Sequence, residues 1–117
     1  MPTPALSEQS CQPYAAEDAL AASAKAQSFL AEIPAWSLSE TRTAIHRSFK
    51  FKDFSTAIQF VNVIADIAAK QDHHPDLHIF YNEVKVVYST HSTGGLTMND
   101  IVCAARVDHM FRTVFSA

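Results

Sequence analysis

Glycine is scarce: the 117-residue chain holds two, adjacent at Gly94 and Gly95. That excludes a Walker loop, a GxGxxG fingerprint and collagen-like repeats, all of which need glycine at fixed spacings. There is no GxSxG nucleophile elbow either. Two cysteines, Cys11 and Cys103, are too few for a disulfide framework, so reduced thiols are the expectation. With no CxxC pair and no HExxH run, a zinc site lacks its usual spacing. No apolar run approaches the ~18 residues that span a bilayer. Met1-Pro2-Thr3-Pro4 has neither the basic start and apolar stretch of a secretory signal nor the arginines of a transit peptide. Excess charge of one sign is missing too. Nine basic against twelve acidic residues give a formal net charge of −3, and no electrostatic reason to expect nucleic acid or a membrane surface as partner. What remains is 48% hydrophobic and 18% charged, the composition of one small cytoplasmic domain.

Residues 1–13 are rich in Pro, Ser and Gln without an apolar period and read as a flexible arm, leaving 14–117 as the domain. Ala15 to Ile33 is alanine-rich, with Leu20, Phe29, Leu30 and Ile33 as a thin apolar stripe before Pro34, and reads as a helix. Trp36 to Ser39 fits a short edge strand. Ile45, Arg47, Phe49 and Phe51 alternate with polar neighbours, a strand period. Asp53 is placed to cap a helix. Phe54, Ile58, Val61, Ile64, Ala65 and Ala68 then recur at helical spacing, widened by Phe60 and Ile67, until Pro75 forbids continuation. Two further alternating runs, around Leu77 to Tyr81 and Val84 to Thr90, form a hairpin. Thr97-Met98-Asn99-Asp100 resembles a capping box and opens a last helix. The order α-β-β-α-β-β-α predicts an α+β fold, a four-stranded antiparallel sheet covered by helices. Such a sheet leaves an edge strand that a second copy of the chain would cover.

Three of the six histidines are placed to meet. His73-His74-Pro75 sits where the longest helix stops, and the broken period there lets adjacent rings turn into one cleft. His91 ends the last strand beside the glycines. If helix end and strand end adjoin, three imidazoles converge. Imidazole titrates near neutrality, so one ring can accept a proton while another donates. That suits an elimination or a tautomerisation, which needs neither a nucleophile nor a metal. The plainer alternative is solvated loop histidines, the ordinary fate of a lone polar residue there. A metal held by His73, His74, His78 and His91 is a further alternative, with adjacent histidines as awkward co-ligands. Cys103 lies on the apolar face of the last helix and reads as a core thiol. Trp36 either caps the core or walls a pocket for a flat ligand. Asp100 reads as a first-turn helix acid, and its loop also brings it near His91.

Phe51-Lys52-Asp53-Phe54, Asp72-His73-His74-Pro75, Tyr81-Asn82, Ser89-Thr90-His91 and Gly95-Leu96-Thr97 through Asp100, in this order and spacing, resemble the pterin-4α-carbinolamine dehydratases. The resemblance runs from about Trp36 to the C-terminus; residues 1 to about 30 match only as a generic leading helix. It implies an α+β fold, homodimers or homotetramers, and no cofactor or metal. The implied reaction dehydrates a 4a-hydroxytetrahydropterin to the quinonoid dihydropterin, which recycles the tetrahydrobiopterin cofactor of aromatic amino acid hydroxylases. His73 and His91 match the family histidines assigned to acid–base catalysis, and His74 the one credited with holding the substrate. Asp72, Ser89, Thr90 and Ser92 match positions lining the pterin site; Pro75, Asp100 and Trp36 complete the candidate pocket. One departure stands out. Family members often carry an acid four positions before the first histidine, where this chain has Ala69, with Asp66 further back. Lowered activity or a changed pH profile is the expected consequence. Animal members of the family also bind a transcription factor, so a non-enzymatic dimerisation module is the second reading. A pterin binder without catalysis, in molybdopterin-related metabolism, is the third.

Overall fold

A computed structural model describes residues 5–115. Three helices and four strands follow one another as α1 (Ala19–Ser28), β1 (Ser37–Leu38), β2 (Ile45–Lys50), α2 (Phe54–Gln71), β3 (Asp76–Ile79), β4 (Glu83–Tyr88) and α3 (Met98–Met110). The strands form one antiparallel sheet in the order β1-β2-β4-β3. This is the expected α+β architecture.

Side-chain alternation decides which face of the sheet is covered. Ile45 and Phe49 on β2 and Val84, Val86 and Tyr88 on β4 are buried, while Ser48 and Lys50 face water. The register sets Phe49 opposite Val84 and Ile45 opposite Tyr88, so the apolar sets share one face. Helix α2 packs Ala57, Phe60, Ile64 and Ala68 on that face. Phe54, at the near end of the expected stripe, is half exposed, because the buried stripe centres on Phe60 and Ile64. Phe49 and Phe60 lie 4.8 Å apart by ring centroid, Phe49 and Phe111 4.9 Å, and Phe51 and Phe60 5.0 Å, an edge-and-tilt cluster typical of aromatic cores. Arg47 also points inward. Its guanidinium, half-buried, stacks 4.3 Å over the Phe49 ring and pairs with Asp108 at 2.7 Å, so the buried Asp108 carboxylate is neutralised.

Three expectations need correction. The alanine-rich segment is not one helix: α1 covers ten residues, flanked by tight turns at Ala16–Asp18 and Leu30–Glu32. Its buried stripe is Ala22 and Ala26, with Leu20 89% exposed. Small side chains let α1 approach α3 closely, and Leu20 falls on the far side. The second correction concerns Trp36, which is 5% exposed and packs against Phe49 and Tyr88. Its Nε1–H donates to Asp108 at 2.9 Å. Trp36 is therefore a core residue whose single polar atom is satisfied, not a pocket wall.

Residues 1–4 of the arm lie outside the described residues, and 5–13 lie along α3 instead of hanging free. Leu6 packs on the core. Arg106 of α3 donates to the Gln9 carbonyl through Nε at 2.9 Å and through its second nitrogen. Cys11 N–H donates to Gln71 Oε1 at 2.8 Å. Gln12 and Asn99 exchange two bonds, Gln12 N–H to Oδ1 at 2.8 Å and Asn99 Nδ2 to the Gln12 carbonyl at 2.6 Å. Sequence periodicity is silent here because these contacts run through backbone groups.

Candidate active site

The site is made where α2 ends, β4 ends and α3 begins. Helix α2 stops with Asp72 in the left-handed region, φ 50° and ψ 44°, its N–H on the Ala68 carbonyl. His73 N–H bonds the same carbonyl at 3.3 Å, the closure of a Schellman-type end. A left-handed non-glycine residue costs about 1 kcal/mol, and here it turns His73 away from the helix axis toward α3.

Beyond β4, Thr90 and Gly95 bond each other through N–H to O contacts of 2.9 and 3.3 Å. The loop between them carries His91 and Ser92 and closes on Gly94 at φ +70°, where a side chain would strain the turn. Thr97 then caps α3 as expected, its Oγ1 accepting from Asn99 N–H at 3.1 Å. Asp100 reciprocates, Oδ2 accepting from Thr97 N–H at 3.0 Å. The capping acid has two further partners. Oδ2 accepts from the Thr90 hydroxyl at 2.8 Å, and Oδ1 meets His73 Nε2 at 2.6 Å. Thr90 Oγ1 also meets Thr97 Oγ1 at 2.8 Å. Asp100 is wholly buried and every oxygen is engaged, so one carboxylate ties three chain segments together.

His73 is the most embedded of the three candidate histidines, its side chain 11% exposed. Its ring lies parallel to Tyr88 at 5.8 Å. Burial alone would lower its proton affinity. The Asp100 hydrogen bond and the negative fields of Asp100, Cys11 and Asp72 outweigh burial and hold its pKa above the ordinary 6.5. Burial first, with the nearby cysteines and Asp100 adding, pushes the Tyr88 phenol far up. Among the described residues its buried hydroxyl has only the Cys103 thiol beside it, at no well-formed hydrogen bond.

Beside His73 opens a cavity of about 450 Å³. Gln71, Asp72 and His73 form one side, Thr90 and Ser92 a second, and Asn99 the floor at the start of α3. The arm closes the last side with Cys11, Gln12, Pro13 and Tyr14; the Ser92 hydroxyl donates to the Tyr14 carbonyl at 3.0 Å. Of the residues expected from sequence, Asp72, His73, Thr90 and Ser92 therefore line one cavity, and Asp100 lies buried behind His73. His74 and His91 are exposed, each directly following a lining residue in the chain; Pro75 and Ser89 are half-buried neighbours. Ala69 is exposed on the last turn of α2, and the carboxylate serving His73 comes from Asp100. Sequence reasoning missed the arm, Gln71 and Asn99. Among the described residues no cluster of three or more His, Cys, Asp or Glu is placed to hold a metal, and no helix is long and apolar enough to cross a membrane.

Comparison with known proteins adds an independent line. The family model described as pterin 4 alpha carbinolamine dehydratase matches residues 19–110, so the match takes in α1 as well as the segment from Trp36 onward. A protein of Xanthomonas campestris pv. campestris strain 8004, provisionally named a pterin-4-alpha-carbinolamine dehydratase, is 42% identical over 106 residues, 91% of this chain and 90% of its own length. A Stenotrophomonas maltophilia protein of the same provisional name is 43% identical over 101 residues, 86% of this chain and 87% of its own. Among solved structures, one described as a transcriptional coactivator/pterin dehydratase from Brucella melitensis superposes with a TM-score of 0.68 at 43% identity, covering 72% of this chain and 89% of that one. A pterin dehydratase-like protein described as a RuBisCO assembly factor in the alpha-carboxysome superposes at 0.56 with 19% identity, covering 65% and 88%, a likeness of fold alone.

Proposed function

The chain belongs to the pterin 4 alpha carbinolamine dehydratase family, and from that premise we propose that it is a hydro-lyase acting on a 4a-hydroxytetrahydropterin. The products are the quinonoid dihydropterin and water, as tetrahydrobiopterin recycling requires. The observation that carries the reading is His73, held by a buried carboxylate at 2.6 Å on the wall of a cavity of about 450 Å³, a volume in the range of small-molecule sites.

Loss of water from C4a needs a proton on the departing hydroxyl and removal of the proton on N5. Asp100 occupies His73 Nε2 and favours the protonated ring, leaving Nδ1 as the nitrogen to exchange a proton with the substrate. His91, on the loop between Thr90 and Ser92, is the second acid–base group. His74 holds the ring, with Asp72, Pro75, Ser89, Thr90 and Ser92 around it. A homodimer or homotetramer is part of the same reading. It is supported by the unpaired outer edge of β3 and by Ile79, Phe80 and Tyr81, 43%, 55% and 71% exposed.

The test is the rate of dehydration of freshly generated 4a-hydroxytetrahydropterin, followed by absorbance, for wild type, His73→Ala, His74→Ala and His91→Ala. Acceleration by wild type that falls by ~100-fold or more in the His73 and His91 variants is expected of acid–base groups. No acceleration by folded wild type sinks the enzyme reading and leaves a protein-interaction module on the same fold. No feature of the site favours that alternative, since an interaction surface has no need of a buried carboxylate gripping a histidine.

A further inference from the structure

The two cysteines of the chain, 92 positions apart, meet in the fold with their sulfurs 3.5 Å apart. Dehydration makes no use of this. Cys103 is fully buried on α3, whereas Cys11 is half-buried on the arm and lines the cavity. A disulfide needs sulfurs at ~2.05 Å, so a closure of about 1.5 Å would join them. Cys103 is fixed by its helix, and the movement falls to Cys11, which sits in irregular backbone between two short turns.

We propose that Cys11 and Cys103 form a reversible disulfide on exposure to a hydroperoxide, fixing the arm covalently as the fourth wall of the cavity. The Cys11 thiolate attacks the terminal oxygen of the hydroperoxide. The O–O bond breaks, and the alcohol (water, for hydrogen peroxide) leaves after taking a proton. Cys11 is then a sulfenic acid. The Cys103 sulfur attacks the Cys11 sulfur, the S–O bond breaks, and water departs with the Cys103 proton. Two thiols lose two electrons and two protons, and one hydroperoxide becomes one alcohol and one water. A dithiol reductant reverses the bond.

Access sets the order of the two cysteines, because Cys11 faces the cavity and Cys103 is sealed behind it. Their acidities agree. The hydrogen bond from Cys103 lowers the Cys11 pKa against the opposing effect of burial, with the positive fields of His73 and Arg106 assisting. The same hydrogen bond and then burial raise that of Cys103. An acidified, reachable thiol backed by a buried partner is the arrangement of an attacking and a resolving cysteine. In the reduced protein the arm is held at Cys11 and Gln12 by hydrogen bonds to Gln71 and Asn99; oxidation adds a bond that thermal opening cannot break. None of this depends on the reaction run in the cavity.

The test treats full-length reduced protein with one equivalent of hydrogen peroxide, then denatures it, alkylates with N-ethylmaleimide and reads the intact mass. The expected product is a monomer lighter by two hydrogens with no maleimide, returned to two alkylated thiols by dithiothreitol. Cys103→Ala treated with dimedone should carry one adduct on Cys11, and Cys11→Ser none. Amide exchange over residues 9–14 should slow on oxidation by on the order of tenfold or more. Two alkylatable thiols after peroxide, a disulfide only between chains, or a dimedone adduct on Cys103 in Cys11→Ser overturns the pairing. Unchanged exchange in the arm overturns the fixed wall.

Discussion

Asp100→Asn separates an acid–base role for the His73–Asp100 pair from mere packing, because the substitution keeps shape and removes one charge. Thr97 N–H can only donate, and it points at Oδ2 together with the Thr90 hydroxyl. The asparagine carbonyl must therefore take the Oδ2 position, which turns its NH₂ toward His73 Nε2. That ring nitrogen must then accept, so His73 becomes a neutral imidazole carrying its proton on Nδ1. In wild type the Asp100 contact and nearby negative fields override burial and raise the His73 pKa above 6.5. In the variant burial is opposed by weaker fields, and the pKa falls below that value. A raised folded-state pKa contributes stability that is fully present below 6.5 and is lost as pH rises through the folded value. The variant has a depressed value, so its His73 contribution grows with pH up to 6.5. Exchanging a charge-assisted bond for a neutral one costs about 1–2 kcal/mol, or roughly 4–8 °C in Tm at acidic pH. The assay is the NMR titration of the His73 ring in both proteins, with Tm measured across pH 5 to 8, the window about neutral imidazole. Dehydration should fall by ~100-fold. A His73 that titrates in the variant at or above its wild-type position refutes the reasoning, whatever happens to the rate.

The same network makes Thr90→Val costly. It removes a hydroxyl shared by Asp100 and Thr97, and a loss of about 2 kcal/mol in chemical denaturation is expected, since two buried polar atoms each lose a partner; a loss below ~0.5 kcal/mol would show that water replaces the hydroxyl. Tyr88→Phe should change stability by no more than about 1 kcal/mol, because among the described residues the deleted hydroxyl has only the weakly bonding Cys103 thiol beside it. Destabilisation beyond that would reveal a stronger partner for it. Trp36→Phe removes the donor to Asp108, which keeps Arg47, and should cost about 1–3 kcal/mol while leaving KM for the pterin unchanged. A several-fold rise in KM would put Trp36 back in the pocket.

Local rules were legible in the residues because their causes lie within a few positions. The strand period around Ile45 to Phe49, the Asp53 cap on Thr56 N–H at 2.8 Å and the Thr97–Asp100 capping box need only neighbouring backbone to operate. Pro75 announced the end of α2 for the same reason. The pattern Asp-His-His-Pro with Ser-Thr-His pointed to the ends of α2 and β4; Asp72, His73 and Thr90 of that pattern line one cavity with Ser92, whereas His74 and His91 are not among its lining residues.

Tertiary structure decided everything that depends on which surfaces meet. Periodicity says that a residue is buried but not what it touches, so Trp36 stayed ambiguous until Asp108, 72 positions away, supplied its acceptor. Asp100 read as a helix acid, and as a cap it is one. Only the approach of α2 to α3 gives its second oxygen to His73, 27 positions earlier, and with it the raised pKa. The arm carries no apolar period, yet it closes the cavity through backbone bonds to Gln71, Asn99 and Arg106. Cys11 and Cys103 read as two isolated thiols because nothing local relates residues 92 apart. Sequence by itself determined the sheet, helices α2 and α3 with their N-caps, and the residue types available for proton transfer. The pairing of a buried charge with one particular histidine is a long-range contact, and only the packed chain brings it about.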